Sequence, residues 1–155
     1  MFHRAFLIAS IAVGALSTPA LAQTAGQMDP NITARQSLMR LQAYNIGVLG
    51  GMAQGRMAYD AEAAESAAQN LLHLTQINSR RMWAEGTDNS AMEGTRALPA
   101  IWATPDEFAA AGAALASAAS AMAAVAGTDL ASLQGAIRGL GGACGACHQA
   151  FRQPE

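Results

Sequence analysis

The sequence predicts an all-α protein folded as an antiparallel four-helix bundle. Hydrophobic residues make up 52% of the 155 residues, alanine is abundant, and only 5% of the residues are aromatic. Strand-like alternation of apolar and polar residues is absent. Four segments carry helix start signals followed by apolar residues at helical spacing, so each is expected to bury one face against the others.

The first 22 residues are predicted to be a secretory signal peptide. A positively charged start precedes an apolar run over residues 5–16, and Ala20-Leu21-Ala22 is a small-x-small cleavage site. A membrane anchor is disfavoured because the run is too short to span a bilayer and Pro19 follows it. Cleavage before Gln23 leaves residues 23–155 as one exported domain without a membrane span, and the predicted location is the periplasm.

The charge pattern argues against nucleic acid as a partner. All nine basic residues of the Lys and Arg class are arginines, eleven residues are acidic, and the formal net charge is −2. Charged residues amount to 13% of the chain and form no basic stripe.

The first two helices have clear start signals. Asp29 is expected to cap a first helix with Pro30 at its first position, and this helix runs to about Gln54. Asp60 is expected to cap a second helix that runs to about Trp83.

The third and fourth helices follow a polar loop over residues 85–104. Thr104-Pro105-Asp106-Glu107 reads as a capping box, and the third helix ends at Gly127. Thr128 is expected to cap the fourth helix. Its apolar seam alternates steps of three and four through both cysteines: Leu130, Leu133, Ile137, Leu140, Cys144, Cys147 and Phe151.

The stretch Cys144-Gly145-Ala146-Cys147-His148 is the Cys-x-x-Cys-His pattern of covalent c-type haem attachment. Two thiols form thioethers with the two haem vinyl groups, and the imidazole that follows ligates the iron. Thiols three residues apart share one face of a helix. The prediction is one covalent haem c per chain near the C-terminal helix, with His148 as the proximal iron ligand.

Three other roles for the cysteines are disfavoured. A thioredoxin-type pair starts a helix after a strand, whereas this pair lies near the end of a long helix. A zinc site needs further ligands, and His73 is the one other histidine of the predicted mature chain. A disulfide across two intervening residues closes a very small loop.

With its haem motif at the C-terminal end of four helices, the sequence resembles the class II cytochromes c, the family of cytochrome c′ and its low-spin relatives. The resemblance covers essentially the whole predicted mature chain. Besides the C-terminal motif, it is carried in order by four segments: Arg35-Gln36-Ser37-Leu38-Met39, Tyr59-Asp60, Trp83-Ala84-Glu85-Gly86-Thr87-Asp88 and Pro99-Ala100-Ile101-Trp102.

The resemblance implies a periplasmic electron-transfer protein that meets redox partner proteins, and often a homodimer packed through the first two helices. It implies that Arg35 and Gln36 contact the haem edge, with Arg35 near a propionate, and that Arg152 lies on the proximal side. Arg96 departs from the family pattern, because many relatives have an acidic residue near this point.

Met39 lies at the position that decides the distal side of the iron in this family. Either its thioether ligates the iron, which gives a low-spin electron carrier, or it leaves five-coordinate iron open to nitric oxide or carbon monoxide. A Met is also a common gap-filler in cores. We expect a high-spin, cytochrome c′-like site, with low-spin His148/Met39 ligation as the alternative. A peroxidase is disfavoured, because it needs a distal acid–base residue, so no enzyme activity is expected.

Overall fold

The computed structural model describes residues 28–154, which form five helices and one short 3-10 turn. The helices are α1 (Pro30–Ala53), α2 (Ala61–Thr75), α3 (Ala100–Ala103), α4 (Pro105–Ala123) and α5 (Leu130–Phe151). The predicted signal peptide and residues 23–27 of the predicted domain lie outside the described residues, so the boundary between the two stays a prediction.

The four long helices close a ring. Helix α1 packs against α2, α2 against α4, α4 against α5, and α5 against α1. Their common core holds one or two fully buried large side chains from each helix: Leu49, Met52, Leu71, Met122, Leu133 and Leu140. Burial of each such side chain contributes about 1.5–3 kcal/mol to folding. The predicted all-α four-helix bundle is confirmed.

Side-chain caps begin three of the long helices. The Asp29 carboxylate accepts from the backbone N–H of Asn31 at 2.8 Å, and the Asp60 carboxylate accepts from that of Ala63 at 2.8 Å, both as predicted. At α5 the cap is Asp129, which accepts from the Ser132 N–H at 2.8 Å. The predicted cap, Thr128, is therefore wrong by one residue, since the side chain that accepts from an N–H of the first turn of α5 belongs to Asp129.

The predicted capping box at Thr104 is also wrong. The Thr104 hydroxyl donates to the Ala100 carbonyl at 3.1 Å and makes no side-chain bond at the start of α4. It closes α3, a single turn inside the segment that was predicted as a loop. Pro105 does lie at the first position of α4, where its missing N–H costs nothing.

Helix α2 ends at Thr75, eight residues earlier than predicted. The Thr75 hydroxyl donates to the Leu72 carbonyl at 2.7 Å, and the chain then turns before a 3-10 turn at Arg80–Trp83. A Trp102 ring N–H donates to the Trp83 carbonyl at 3.1 Å. The 3-10 turn packs against α1 and bonds to Trp102 where the sequence predicts the last turns of α2, so tertiary packing overrides the helical pattern.

The predicted seam of α5 faces the bundle. Leu133, Leu140 and Phe151 are buried, and the two cysteines between them are half-buried. Both thiols therefore lie on the inner side of the last helix. Within residues 28–154, none of the helices combines the length and apolar character that crossing a membrane requires.

Candidate haem site

A cavity of about 390 Å³ opens where α5 ends, and α1, α3, α4 and the loop over residues 83–97 complete its wall. Six of the seven predicted site residues line it: Arg35, Gln36, Met39, Cys147, His148 and Arg152. Cys144 is not part of the wall, but it lies one helical turn before Cys147 and is half-buried. The structure thus brings α1 and the cysteine motif to one place.

Both cysteines are free thiols. Burial raises the pKa of Cys144 and of Cys147, and for Cys147 the neighbouring Cys144 raises it further. Before haem attachment, both thiols are therefore held in the protonated form at neutral pH. Their spacing on one helix face matches two attachment points on a single planar group.

His148 follows at the rim of the cavity, with an exposed side chain. Partial burial of its ring lowers its pKa, and the positive charges of Arg152 and Arg96 lower it further. Neutral imidazole is the form that binds metals, so this environment favours ligation. Arg152 Nη1 lies 3.5 Å from His148 Nδ1, which places Arg152 beside the motif as the family resemblance implied and leaves Nε2 for a metal.

Among the residues that the structure describes, no three His, Cys, Asp or Glu side chains gather to hold a metal ion. His73 lies in a different depression, between α1 and α2.

Arg35 is almost wholly buried, with 3% of its surface exposed. Its Nη1 donates to the Thr87 hydroxyl at 2.7 Å and to the Met82 carbonyl at 3.3 Å. Its Nη2 donates to the Thr95 hydroxyl at 2.7 Å and to the Thr87 carbonyl. The guanidinium also lies 5.2 Å from the centre of the Trp83 ring, within cation–π range.

Gln36 is committed to the same loop, because its amide donates to the Gly94 carbonyl at 2.7 Å. The resemblance implied that Arg35 and Gln36 contact the haem edge. The structure places both on the cavity wall and shows, in addition, that both tie α1 to the loop.

Sequence reasoning missed the aromatic part of the wall. Phe108 packs edge-on against Trp83 at 4.8 Å and against Phe151 at 5.2 Å between ring centres. Edge-to-face pairs of this kind are worth about 0.5–1.5 kcal/mol beyond their buried area. Phe151 was predicted as a seam residue of the last helix, but no sequence signal indicates that it meets Phe108 of α4 beside Trp83.

Hydrogen bonds join the loop before α3 to the C-terminal end of the described chain. The Leu98 N–H donates to the Phe151 carbonyl at 3.0 Å, and the Gln153 N–H donates to the Arg96 carbonyl at 2.8 Å. The Arg96 side chain donates to the Gln153 carbonyl, with Nε at 2.9 Å. Arg96, the departure from the family pattern, thus serves to hold the loop, and Gly94, Thr95, Arg96 and Ala97 all line the cavity.

The donor set fits haem c. Two free thiols on one helix face, an adjacent imidazole, an aromatic and aliphatic wall, and arginines that suit carboxylate groups are what a covalently attached haem requires. When bound, the haem supplies reversible one-electron chemistry at iron. Cys144 and Cys147 would hold it through two thioethers, and His148 would ligate its iron.

A four-helix bundle whose last helix presents Cys-x-x-Cys-His to such a cavity defines a c-type haem protein of the class with a C-terminal motif. The sequence profile described as Cytochrome C′ matches residues 30–152, and the chain belongs to this family.

Known relatives agree along nearly the full chain. Cytochrome c-554 from Cereibacter sphaeroides is 46% identical over 140 residues, which cover 90% of this chain and 92% of the relative. Cytochrome c′ from the same organism is 36% identical over 149 residues, which cover 96% of this chain and 97% of the relative. The solved structure of cytochrome c′ from Rhodobacter sphaeroides matches with a TM-score of 0.79 at 37% identity, over 81% of this chain and 96% of that one.

The predicted covalent haem c and the class II cytochrome c assignment are thereby confirmed. The chain is a haem-based electron-transfer protein of the cytochrome c′ type.

Proposed function

We propose that this chain is a high-spin cytochrome that transfers electrons and also binds nitric oxide or carbon monoxide at five-coordinate haem iron. The cavity carries this proposal. Opposite the cysteine motif, α1 contributes Met39 and Ala43 to its wall, and neither is an imidazole or a carboxylate that would hold the sixth position strongly. Small diatomic gases need only the space beside such apolar groups.

Solved structures of relatives support gas binding. Nitric oxide complexes of variants of cytochrome c prime from Alcaligenes xylosoxidans match this chain at 27% identity, over 80% of it, with a TM-score of 0.69. They support the same chemistry for a chain of the same family.

Met39 supports a second candidate. Its thioether lines the same cavity as His148, so a small shift of α1 decides whether sulfur reaches the iron. Relatives are named both cytochrome c′ and cytochrome c-554 or c-556, so names do not choose between the two. With Met39 as sixth ligand, the protein is a low-spin electron carrier closed to gases.

The optical spectrum of the holoprotein, with and without carbon monoxide, tests the two candidates. We expect a high-spin spectrum that shifts strongly when carbon monoxide is added to the reduced protein. The variant Met39→Leu is the matched control, because it removes the sulfur and keeps the size; we expect it to leave the spectrum nearly unchanged. A low-spin spectrum without a carbon monoxide response, converted to high spin by Met39→Leu, would establish the second candidate instead.

We also propose that the protein is not an enzyme. A peroxidase needs a distal acid–base group to cleave an O–O bond. The α1 side chains on the cavity wall are Arg35, Gln36, Met39, Arg40 and Ala43, and none of them exchanges a proton near neutral pH.

A periplasmic location, with redox partner proteins there, is part of the proposal. A second cytochrome c-554 from Cereibacter sphaeroides aligns over its whole length with 133 residues of this chain at 47% identity. That is the length left when the predicted 22-residue signal peptide is removed, which supports export.

We further propose a homodimer through α1 and α2. Leu41 and Tyr44 of α1 and Ile77 after α2 are 53%, 70% and 43% exposed, and all three line one shallow depression between these helices. Such a patch of large apolar side chains on a bundle surface favours a protein partner. A second copy matches it, because a two-fold interface pairs one patch with itself.

The variant Leu41→Asp tests the dimer. A charge buried at the centre of the interface should weaken self-association by about tenfold or more, since 1.4 kcal/mol suffices for that change. Sedimentation equilibrium of the holoprotein measures it. Met57→Asp is the control, because Met57 is also exposed but lies outside the depression. Equal masses for all three proteins at all concentrations would contradict the interface.

A further inference from the structure

The cavity wall contains a buried positive charge whose hydrogen-bond acceptors are all neutral. The four bonds of Arg35 described above go to the hydroxyls of Thr87 and Thr95 and to the carbonyls of Met82 and Thr87. Oxygen dipoles solvate a guanidinium without cancelling its charge. In the low dielectric of the interior, the field of such a charge extends further than it does in water.

The two threonine hydroxyls cannot swing away easily, because each has a second partner on the loop. The Thr87 hydroxyl donates to the Ala84 carbonyl at 2.7 Å, so its lone pair is presented to Arg35. The Thr95 hydroxyl accepts from the Ala97 N–H at 3.2 Å as well as from Arg35. Both hydroxyls are therefore fixed acceptors before Arg35 is considered.

Arg35 and one of its hydrogen-bond partners, Thr95, face the haem site. Arg35 and Thr95 line the same cavity as Cys147 and His148. Burial lowers the pKa of Arg35 while the charges of Asp29 and Asp88 raise it, and the guanidinium remains protonated. These two carboxylates weaken its field but do not lie among its hydrogen-bond partners, and both terminal nitrogens of Arg35 are already bonded to the loop rather than to the haem propionate that the family resemblance places nearby.

We propose that Thr87 and Thr95 are positioning residues that hold the Arg35 charge against the haem cavity and so raise the reduction potential of the haem iron. When ferric iron takes up one electron from its redox partner, the iron centre loses one unit of positive charge. A nearby fixed cation destabilises the ferric form more than the ferrous form, and the midpoint potential rises. The inference rests on the electron-transfer function but not on gas binding.

The midpoint potential of the holoprotein, measured by spectroelectrochemical titration, tests this role. Thr95→Val removes the acceptor and keeps the shape, and we expect it to lower the potential. Thr95→Ser keeps the hydroxyl and should retain the parent value. Thr33→Val is the matched control, since Thr33 is an exposed residue of α1 whose hydroxyl bonds only locally, to the Asp29 carbonyl.

Arg35→Gln should lower the potential most, and adding Thr95→Val to it should lower the potential no further, because the two residues act through one charge. If Arg35→Gln does not retain haem, the midpoint potentials of Thr95→Val and Thr87→Val test the inference without it. If both threonine variants unfold at a lower temperature but keep the parent midpoint potential, Thr87 and Thr95 only stabilise the fold, and the inference is overturned. The carbon monoxide response of the same samples reports the distal side separately, so failure of the proposed gas binding is recognised independently.

Discussion

Replacing Cys144 and Cys147 together by alanine should abolish covalent haem attachment. Each thiol is expected to supply one thioether, and the sequence contains no other cysteine. Without the two bonds, haem is held by packing and ligation alone and leaves when the protein unfolds. We expect essentially complete loss of haem from the denatured protein, measured by haem-stained denaturing gels and by extraction into acidified solvent.

The control for the cysteine pair lies between the two thiols. Ala146 is exposed on α5, so Ala146→Ser changes the motif without touching either thiol or the cavity wall. It should keep its haem through denaturation. Haem that stays with the denatured double alanine variant would contradict the attachment site.

The parts of this molecule that a sequence can predict are those that depend on near neighbours in the chain. Asp29 and Asp60 cap α1 and α2 with bonds to N–H groups two or three residues away. Cys144, Cys147 and His148 occupy adjacent turns of one helix, so their relative placement follows from helical geometry. Local spacing also predicts the inner face of α5.

The wall of the cavity depends on distant neighbours, and sequence reasoning reached it only in part. Arg35 bonds to Thr87 and Thr95, which lie 52 and 60 residues further along the chain. The segment that follows the early end of α2 also depends on a distant neighbour, because the Trp83 carbonyl accepts from the Trp102 ring N–H. Neither partner carries a local pattern that indicates the contact, and propensity within a window cannot weigh it.

Within the motif, the cysteines are expected to attach the haem and His148 to ligate its iron. The variant His148→Ala should show the loss of ligation alone. The variant keeps both thiols and therefore keeps covalent haem, but it loses the proximal imidazole. We expect the native spectrum to disappear in both oxidation states while the haem content stays at one per chain. Optical spectra together with a haem assay measure the two quantities on the same sample.

Gln149→Ala is the matched control for His148→Ala, because Gln149 is the next residue of α5, is exposed and does not line the cavity. It should leave spectrum and haem content unchanged. A native spectrum in His148→Ala would place the proximal ligand elsewhere, and a loss of covalent haem would mean that the histidine is needed for attachment as well as ligation. The cysteine pair and His148 are thus tested by opposite results: one variant loses the haem, and the other keeps the haem and loses its ligand.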